Sequence, residues 1–143
     1  MSFNKYFQDR ARWGPLLEKI MSDYKYNVLF LCTGNSARSI MAEALLSRWG
    51  SGHFNAYSAG SNPKGEVHPL TLQTLEKSNF MTEGYRSKSW EEFTRDDSPD
   101  IDFITTVCSN AAREICPVMP GKPVSAHWDI EDPAGIRNRE STT

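Results

Sequence analysis

The sequence predicts an α/β fold in which a four-stranded parallel sheet lies between layers of helices. Short apolar segments alternate with longer segments whose apolar residues recur at helical spacing. The segment Val28–Leu31 is also apolar throughout, as expected for a strand that is covered on both faces. Strands that alternate with helices form a parallel sheet, in which ligands bind beyond the carboxyl ends of the strands. We therefore expect a three-layer sandwich with its site at that edge.

The first part of the chain contains three predicted helices and two predicted strands. Residues 1–26 form an N-terminal extension, with one apolar helical face over Pro15–Asp23. Residues 27–143 form a single domain that begins with the strand Val28–Leu31. A helix over Arg38–Trp49 follows and ends at Gly50, a residue that commonly terminates helices. The next elements are a strand at Phe54–Ser61 and a helix at Pro69–Ser78, in which Leu70, Leu72 and Leu75 are expected to point inward.

The second half supplies the remaining two strands. A helical turn is expected at Trp90–Phe93. The residues Asp97–Asp100 favour a turn, and the apolar segment Asp102–Cys108 after them predicts the third strand. Pro123–Ile130 predicts the fourth strand. Cys32 and Cys108 therefore lie at the same edge of the expected sheet.

The bulk composition is that expected for a soluble globular protein. The chain has 143 residues, a formal net charge of −2 and 38% hydrophobic residues. This charge gives no support for a nucleic-acid or membrane partner. The N-terminus lacks the apolar core of a secretory signal, so we expect a cytoplasmic protein, and a monomer. Three cysteines are an odd number for structural disulfides, and in a reducing compartment they favour free, metal-bound or redox-active thiols.

The segment CTGNSARS, from Cys32 to Ser39, predicts a loop that binds a tetrahedral oxyanion. It joins a strand to the start of a helix, where backbone N–H groups and the helix dipole attract anions. Gly34 and Asn35 both tolerate positive φ angles, and the Arg38 guanidinium matches two anion oxygens. The alternative is an ordinary strand–helix loop after a buried cysteine. The predicted anion-binding residues are Thr33, Gly34, Asn35, Ser36, Ala37, Arg38 and Ser39.

Cys32 is the predicted nucleophile of this loop. A helix N-terminus and a nearby cation lower the pKa of a thiol, so we expect Cys32 to be a thiolate near neutral pH, with the Ser39 hydroxyl as a hydrogen-bond donor. Asp132, which precedes Pro133 after the fourth strand, is a candidate general acid for the leaving oxygen. An exposed turn aspartate is the alternative for Asp132, and Glu131 is the weaker candidate acid.

These motifs resemble those of the low-molecular-weight protein tyrosine phosphatase superfamily, which includes the thioredoxin-coupled arsenate reductases. The resemblance spans about Asn27 to Gly135 and is carried by NVLFLCTGNSARS, YSAGS, TVCSNAAREICP and HWDIEDPAG. It implies that Asp132 is the general acid. It also implies that Ala134 and Gly135 stand where the phosphatases of this fold carry tyrosines that help to hold phosphotyrosine.

The loop by itself does not distinguish a phosphatase from a reductase, because phosphate and arsenate share shape and charge. Arsenate reduction takes two electrons, so it requires thiols beyond Cys32. The resemblance implies a relay in which Cys32 attacks arsenate, Cys108 attacks Cys32, and Cys116 attacks Cys108 to form a disulfide that a thioredoxin- or glutaredoxin-type protein reduces. It implies no cofactor. Two buried small residues are the alternative for Cys108 and Cys116, and their spacing disfavours a zinc site.

The resemblance carries two further expectations. Several reductases hold a potassium ion near the loop, and Asn35, Glu43 and Ser58 match that site, although Ser87–Ser89 lacks the acidic residue expected there. The family also ends in a long helix, whereas IRNRESTT follows Gly135 here. The C-terminal helix is therefore expected to be missing, and the Pro15–Asp23 helix is a candidate to cover that face. We expect an arsenate reductase; the alternatives are a low-molecular-weight tyrosine phosphatase and an inactive oxyanion-binding or regulatory domain.

Overall fold

The computed structural model describes residues 14–15, 23–113, 119–121 and 123–131. Its elements follow the predicted order. In chain order they are β1 (Tyr26–Cys32), α1 (Arg38–Trp49), β2 (Phe54–Gly60), α2 (Pro69–Lys77), a 3₁₀ helix (Trp90–Phe93), β3 (Phe103–Thr106), α3 (Ser109–Arg113) and β4 (Val124–His127).

The four strands form one parallel sheet in the order β2-β1-β3-β4. This confirms the predicted sheet. Cys32 at the end of β1 is in register with Gly60 at the end of β2, and Leu31 is in register with Thr106 of β3. The carboxyl ends of the three strands therefore meet at one edge, and the loops that leave them converge there.

Alternate residues of β1 pack into separate cores on the two faces of the sheet. Leu29 and Leu31 pack on one face with residues such as Phe93 of the 3₁₀ helix. Val28, Phe30 and Cys32 pack on the other face, against α1 and α3. Both faces of the central strand are thus covered, as its uninterrupted apolar sequence predicts, and the sandwich architecture is confirmed.

Some predicted boundaries and faces are wrong. The third strand ends at Thr106 rather than Cys108. After Thr106 the chain makes one more hydrogen bond to β1, from Val107 N to Leu31 O at 2.8 Å, and then turns into α3. On α2, Leu70 is 62% exposed rather than inward. Thr71 and Leu75, four residues apart, form the buried side of that helix, and Leu70 lies off it.

Several expectations fall outside the described residues. They concern most of the Pro15–Asp23 helix, the tail after Glu131 and the side chains of Cys116 and Asp132. Among the residues that are described, no helix combines the length and the apolar character needed to cross a bilayer.

Candidate functional site

The loop between β1 and α1 directs its carbonyl oxygens away from its centre. The carbonyls of Thr33, Gly34 and Ser36 each accept hydrogen bonds from other segments of the protein. The donors are Asn62 N at 2.9 Å to Thr33, Lys64 N at 3.0 Å and Ser87 Oγ at 3.1 Å to Gly34, and His68 N at 3.0 Å and Thr71 Oγ1 at 3.1 Å to Ser36. A loop whose carbonyls are bonded outward in this way presents its N–H edges inward, which is the geometry of an anion nest.

The start of α1 adds to this positive edge. Ala37, the N-cap residue, makes no side-chain hydrogen bond to the first turn, and that turn contains no acidic residue. The partial positive charge of the helix N-terminus is therefore neither capped by a side chain nor balanced by a carboxylate. Arg38, the first residue of the helix, donates from Nη1 to the carbonyl of Ile130 at 2.9 Å, which ties the loop after β4 to the mouth of the site.

Asn35 holds the loop in shape. It is fully buried and has a φ of 44°, in the left-handed region that few non-glycine residues adopt. Its Nδ2 donates to Ser39 Oγ at 2.7 Å, and its Oδ1 accepts from Lys88 N at 2.9 Å. Gly34 is not among the residues with positive φ. Instead, its missing side chain leaves room for Lys64, since a Cβ on Gly34 would lie 3.3 Å from Lys64 Cε.

The loop brings Cys32 together with Cys108, which follows β3. Both thiols are free and buried, at 5% and 2% exposure, and they are in hydrogen-bond contact with each other. Cys108 Sγ also accepts from Thr33 N and from Ala111 N, each at 3.4 Å. Cys108, which the sequence predicts at the same sheet edge as Cys32, thus lies beside the predicted nucleophile.

The two thiols differ in acidity, and not as expected. Burial, followed by the hydrogen bond and charge of Cys108, raises the pKa of Cys32 to about 11, against a smaller lowering by Arg38. Burial also acts to raise the pKa of Cys108, but hydrogen bonds from Ala111, Thr33 and Cys32 outweigh it and leave that pKa below its ordinary value. In this arrangement burial and Cys108 disfavour the Cys32 thiolate, in the opposite direction to the effect expected from the helix N-terminus and Arg38.

An open cavity of about 460 Å³ lies beside this pair. Its wall includes Arg38, Cys108, Asp129 and Glu131. Ser109 Oγ, at the start of α3, donates to Asp129 Oδ1 at 2.8 Å, so the segment that carries Cys108 is tied to the loop after β4. Glu131, the weaker of the two candidate acids, thus lines the same cavity as Cys108, and Asp132 follows it directly in the chain.

Three residues support the site although the sequence did not predict a contact between them and the loop. Gly60 of β2 lies so close to the loop that a Cβ there would be 2.5 Å from Thr33 O and 2.9 Å from Cys32 O. Ser87 bonds Gly34 O, and Lys88 bonds Asn35, so the segment before the 3₁₀ helix supports the loop from below. Gly60 lies in the quoted YSAGS motif, which is a local signal. No local pattern marks Ser87 and Lys88, because both act across more than 50 residues.

The residues expected near a potassium ion do not fit that ion. Ser58 Oγ donates to Glu43 Oε2 at 2.9 Å, and both polar ends of Asn35 are already bonded within the protein. The buried Lys88 lies near enough to Glu43 for its charge to lower the pKa of that carboxyl, although burial has the larger, opposite effect. Across the described ranges, no three His, Cys, Asp or Glu side chains converge as metal ligands.

A family model matches this chain over residues 27–141, and it describes low molecular weight phosphotyrosine protein phosphatases. Among curated proteins, an arsenate reductase from Staphylococcus xylosus is 34% identical over 115 residues, which cover 78% of this chain and 81% of the relative.

Solved structures show the same likeness. A thioredoxin-dependent arsenate reductase from Corynebacterium glutamicum superposes with a TM-score of 0.60 at 27% identity, over 90% of this chain and 61% of the neighbour. The chain thus spans about three fifths of that protein. A low molecular weight protein tyrosine phosphatase from T. tengcongensis superposes with a TM-score of 0.63 at 25% identity, over 79% of this chain and 85% of the neighbour.

Proposed function

Because this chain belongs to the low molecular weight phosphotyrosine protein phosphatase family, we propose that it acts within that family as an arsenate reductase, converting arsenate to arsenite through a relay of thiols. The observation that carries the proposal is the contact between Cys32 and Cys108 at the oxyanion loop. A phosphatase needs one thiol, since water releases phosphate from the phosphorylated cysteine. Reduction of arsenate to arsenite takes two electrons, and a second thiol in contact with the first can supply them by forming a disulfide.

The first step binds arsenate in the loop, with its oxygens on the inward N–H groups and on Arg38. The Cys32 sulfur attacks arsenic, an S–As bond forms, and one oxygen leaves as water after protonation. Asp132 is the proposed donor of that proton. Cys32 attacks as a thiolate, so any proton on its sulfur must pass to solvent before the attack.

The second step reduces arsenic. The Cys108 sulfur, as a thiolate, attacks the Cys32 sulfur, so that a Cys32–Cys108 disulfide forms while the S–As bond breaks. The electron pair of that bond stays on arsenic, which changes from As(V) to As(III) and leaves as arsenite. Cys116 then attacks Cys108, which frees Cys32 and leaves a Cys108–Cys116 disulfide. A thioredoxin- or glutaredoxin-type dithiol reduces this disulfide and returns the enzyme to its starting state.

The cellular setting follows from the chemistry. The relay starts from three reduced thiols, so we place it in the cytoplasm, where small redox proteins keep thiols reduced. Phosphate competes for the loop because it has the same shape and charge as arsenate. We expect a monomer, since every proposed step takes place within one chain.

Arsenate turnover with NADPH, thioredoxin reductase and thioredoxin tests the proposal, with a parallel assay that supplies glutathione and glutaredoxin. We expect multiple turnovers with one of the two systems. Cys116→Ser should complete a single turnover and accumulate the Cys32–Cys108 disulfide, which peptide mass spectrometry detects. Cys108→Ser should stop at the arsenic adduct and release no arsenite.

Three outcomes would contradict the proposal. Full multiple turnover by Cys116→Ser would refute the relay. Efficient hydrolysis of an aryl phosphate, with no arsenate turnover in either system, would identify a phosphatase. Phosphate binding without either reaction would identify an oxyanion-binding domain.

A further inference from the structure

Beneath the oxyanion loop lies a group of buried polar residues that the relay does not use. It comprises Glu43 of α1, Ser58 of β2 and Lys88, with Asn35 above them. The Glu43 carboxylate accepts a hydrogen bond from the fully buried Ser58 hydroxyl at 2.9 Å. Glu43 itself is half-buried. A carboxylate in such a place needs a compensating positive charge.

Lys88 supplies this charge from within the chain. It is only 9% exposed, although lysine is rarely buried unless its ammonium is paired. Its Nζ donates to the carbonyl of Arg86 at 3.2 Å. Burial lowers the pKa of Lys88, while the Glu43 carboxylate acts in the opposite direction and favours the charged form. The charges of Lys88 and Glu43 therefore favour each other's ionised states, against the larger effect of burial on both groups.

The backbone of Lys88 is held on both sides by the site. Its N–H donates to Asn35 Oδ1 at 2.9 Å, and its carbonyl accepts from Gly60 N at 2.9 Å. Asn35 is the residue whose left-handed conformation shapes the loop. The same residue thus carries the buried cation and bonds the side chain that shapes the anion-binding loop.

We propose that Lys88 is a positioning residue whose ammonium takes the place of a bound monovalent cation beneath the oxyanion loop. The expected potassium site is replaced by a covalently attached charge, and oxyanion binding is therefore independent of potassium. Without Lys88, the half-buried Glu43 carboxylate would lose its nearby positive charge, close to a loop that must accept another anion. This inference concerns the oxyanion loop of the proposed function but none of its redox steps.

Phosphate binding by isothermal titration calorimetry tests the inference and needs no redox partner. The wild-type protein should bind inorganic phosphate with the same Kd in choline, sodium and potassium chloride at equal ionic strength. Lys88→Met, which keeps the backbone hydrogen bonds and most of the side-chain length, should weaken binding by roughly tenfold or more in choline chloride. Lys77→Met, at an exposed position at the end of α2, is the matched control and should leave Kd almost unchanged.

A purely structural role for Lys88 predicts that Lys88→Met lowers the thermal midpoint while the folded variant keeps the wild-type phosphate Kd, and that result would overturn the inference. In the double variant Glu43→Gln with Lys88→Met, neither charge remains beneath the loop, so phosphate binding should recover most of the affinity that Lys88→Met loses. A double variant that binds phosphate as weakly as Lys88→Met would also overturn the inference, as would a wild-type Kd that improves in potassium over sodium. If Lys88→Met does not fold, Glu43→Gln still tests the inference. This variant keeps the Lys88 charge and should bind phosphate at least as tightly as wild type. Weaker binding would overturn the inference. None of these binding measurements depends on arsenate turnover, so the proposed function and this inference can be refuted separately.

Discussion

Gly60→Ala is the substitution that most directly tests how the sheet shapes the oxyanion loop. Gly60 ends β2 and pairs with Cys32 at the end of β1. A Cβ at Gly60 would lie 2.5 Å from Thr33 O, 2.9 Å from Cys32 O and 3.0 Å from Asn35 Cβ. The first two neighbours are backbone atoms, so they cannot rotate away as a flexible side chain would. The loop as a whole must therefore move.

The expected size of the effect follows from this overlap. Forcing one extra carbon into a packed site costs about 1–3 kcal/mol in the free energy of unfolding. For a chain of this length that corresponds to a fall in Tm of roughly 3–12 °C. The effect on function should be larger. A displacement of about 1 Å in a positioned catalytic group costs on the order of 100-fold in rate, and here the displaced groups are the nucleophile and the loop that binds the anion.

The assay compares Gly60→Ala with Gly52→Ala. A Cβ at Gly52 would have no heavy atom within 4 Å, so this control removes a glycine without creating a collision. Thermal unfolding, phosphate Kd and the single-turnover rate of arsenate reduction are measured for both variants. If Gly60→Ala retains the phosphate Kd and the rate of Gly52→Ala, then Gly60 does not set the shape of the loop, and the reasoning from close approach is refuted.

Two further predictions concern the loop and its thiols. Asn35→Ala should lose about 2–5 kcal/mol of stability in urea unfolding, because it places alanine in a left-handed conformation and leaves the buried Ser39 Oγ and Lys88 N without their hydrogen-bond partner. The control is Asn79→Ala, at an exposed residue with a φ of 62°. It loses only the conformational preference and should cost about 1 kcal/mol. Equal losses in these two variants would show that the hydrogen bonds of Asn35 contribute nothing. Burial and Cys108 together raise the pKa of Cys32 to about 11, and Cys108→Ser removes the charge of Cys108, so thiolate formation at Cys32 should shift to lower pH, as measured by the pH dependence of its alkylation with peptide mass spectrometry. An unchanged or higher midpoint would show that burial alone sets that pKa.

The sheet and the candidate site differ in how far local sequence predicts them. The continuous apolar segment of β1 requires cover on both faces, and together with the alternation of strands and helices it predicts a parallel sheet with a ligand site at its carboxyl edge. The loop was similarly predictable, because the residues that determine its shape and charge lie within one short segment between a strand and a helix. These are Asn35 in the left-handed turn, the uncapped start of the helix and Arg38 beside it.

The helix faces were less predictable. Leucines dominate α2, yet Thr71 rather than Leu70 lies on its buried side. Which side of a short helix is buried depends on where it meets α1 and the loop. Thr71 is drawn inward because its hydroxyl bonds the carbonyl of Ser36, a contact across 35 residues. The spacing of apolar residues within the helix does not predict that hydrogen bond.

The sequence by itself determined the class of fold, the strand that ends in Cys32, the loop that suits an oxyanion and the presence of further thiols. Those properties depend on periodicity and on neighbours within a few residues. Only the tertiary structure decided that Cys108 lies against Cys32, that burial and Cys108 raise the pKa of Cys32, and that the buried Lys88 bonds Asn35 of the loop. The physical reason is that pKa values and charge pairing depend on burial and on distances between segments that are far apart in the chain.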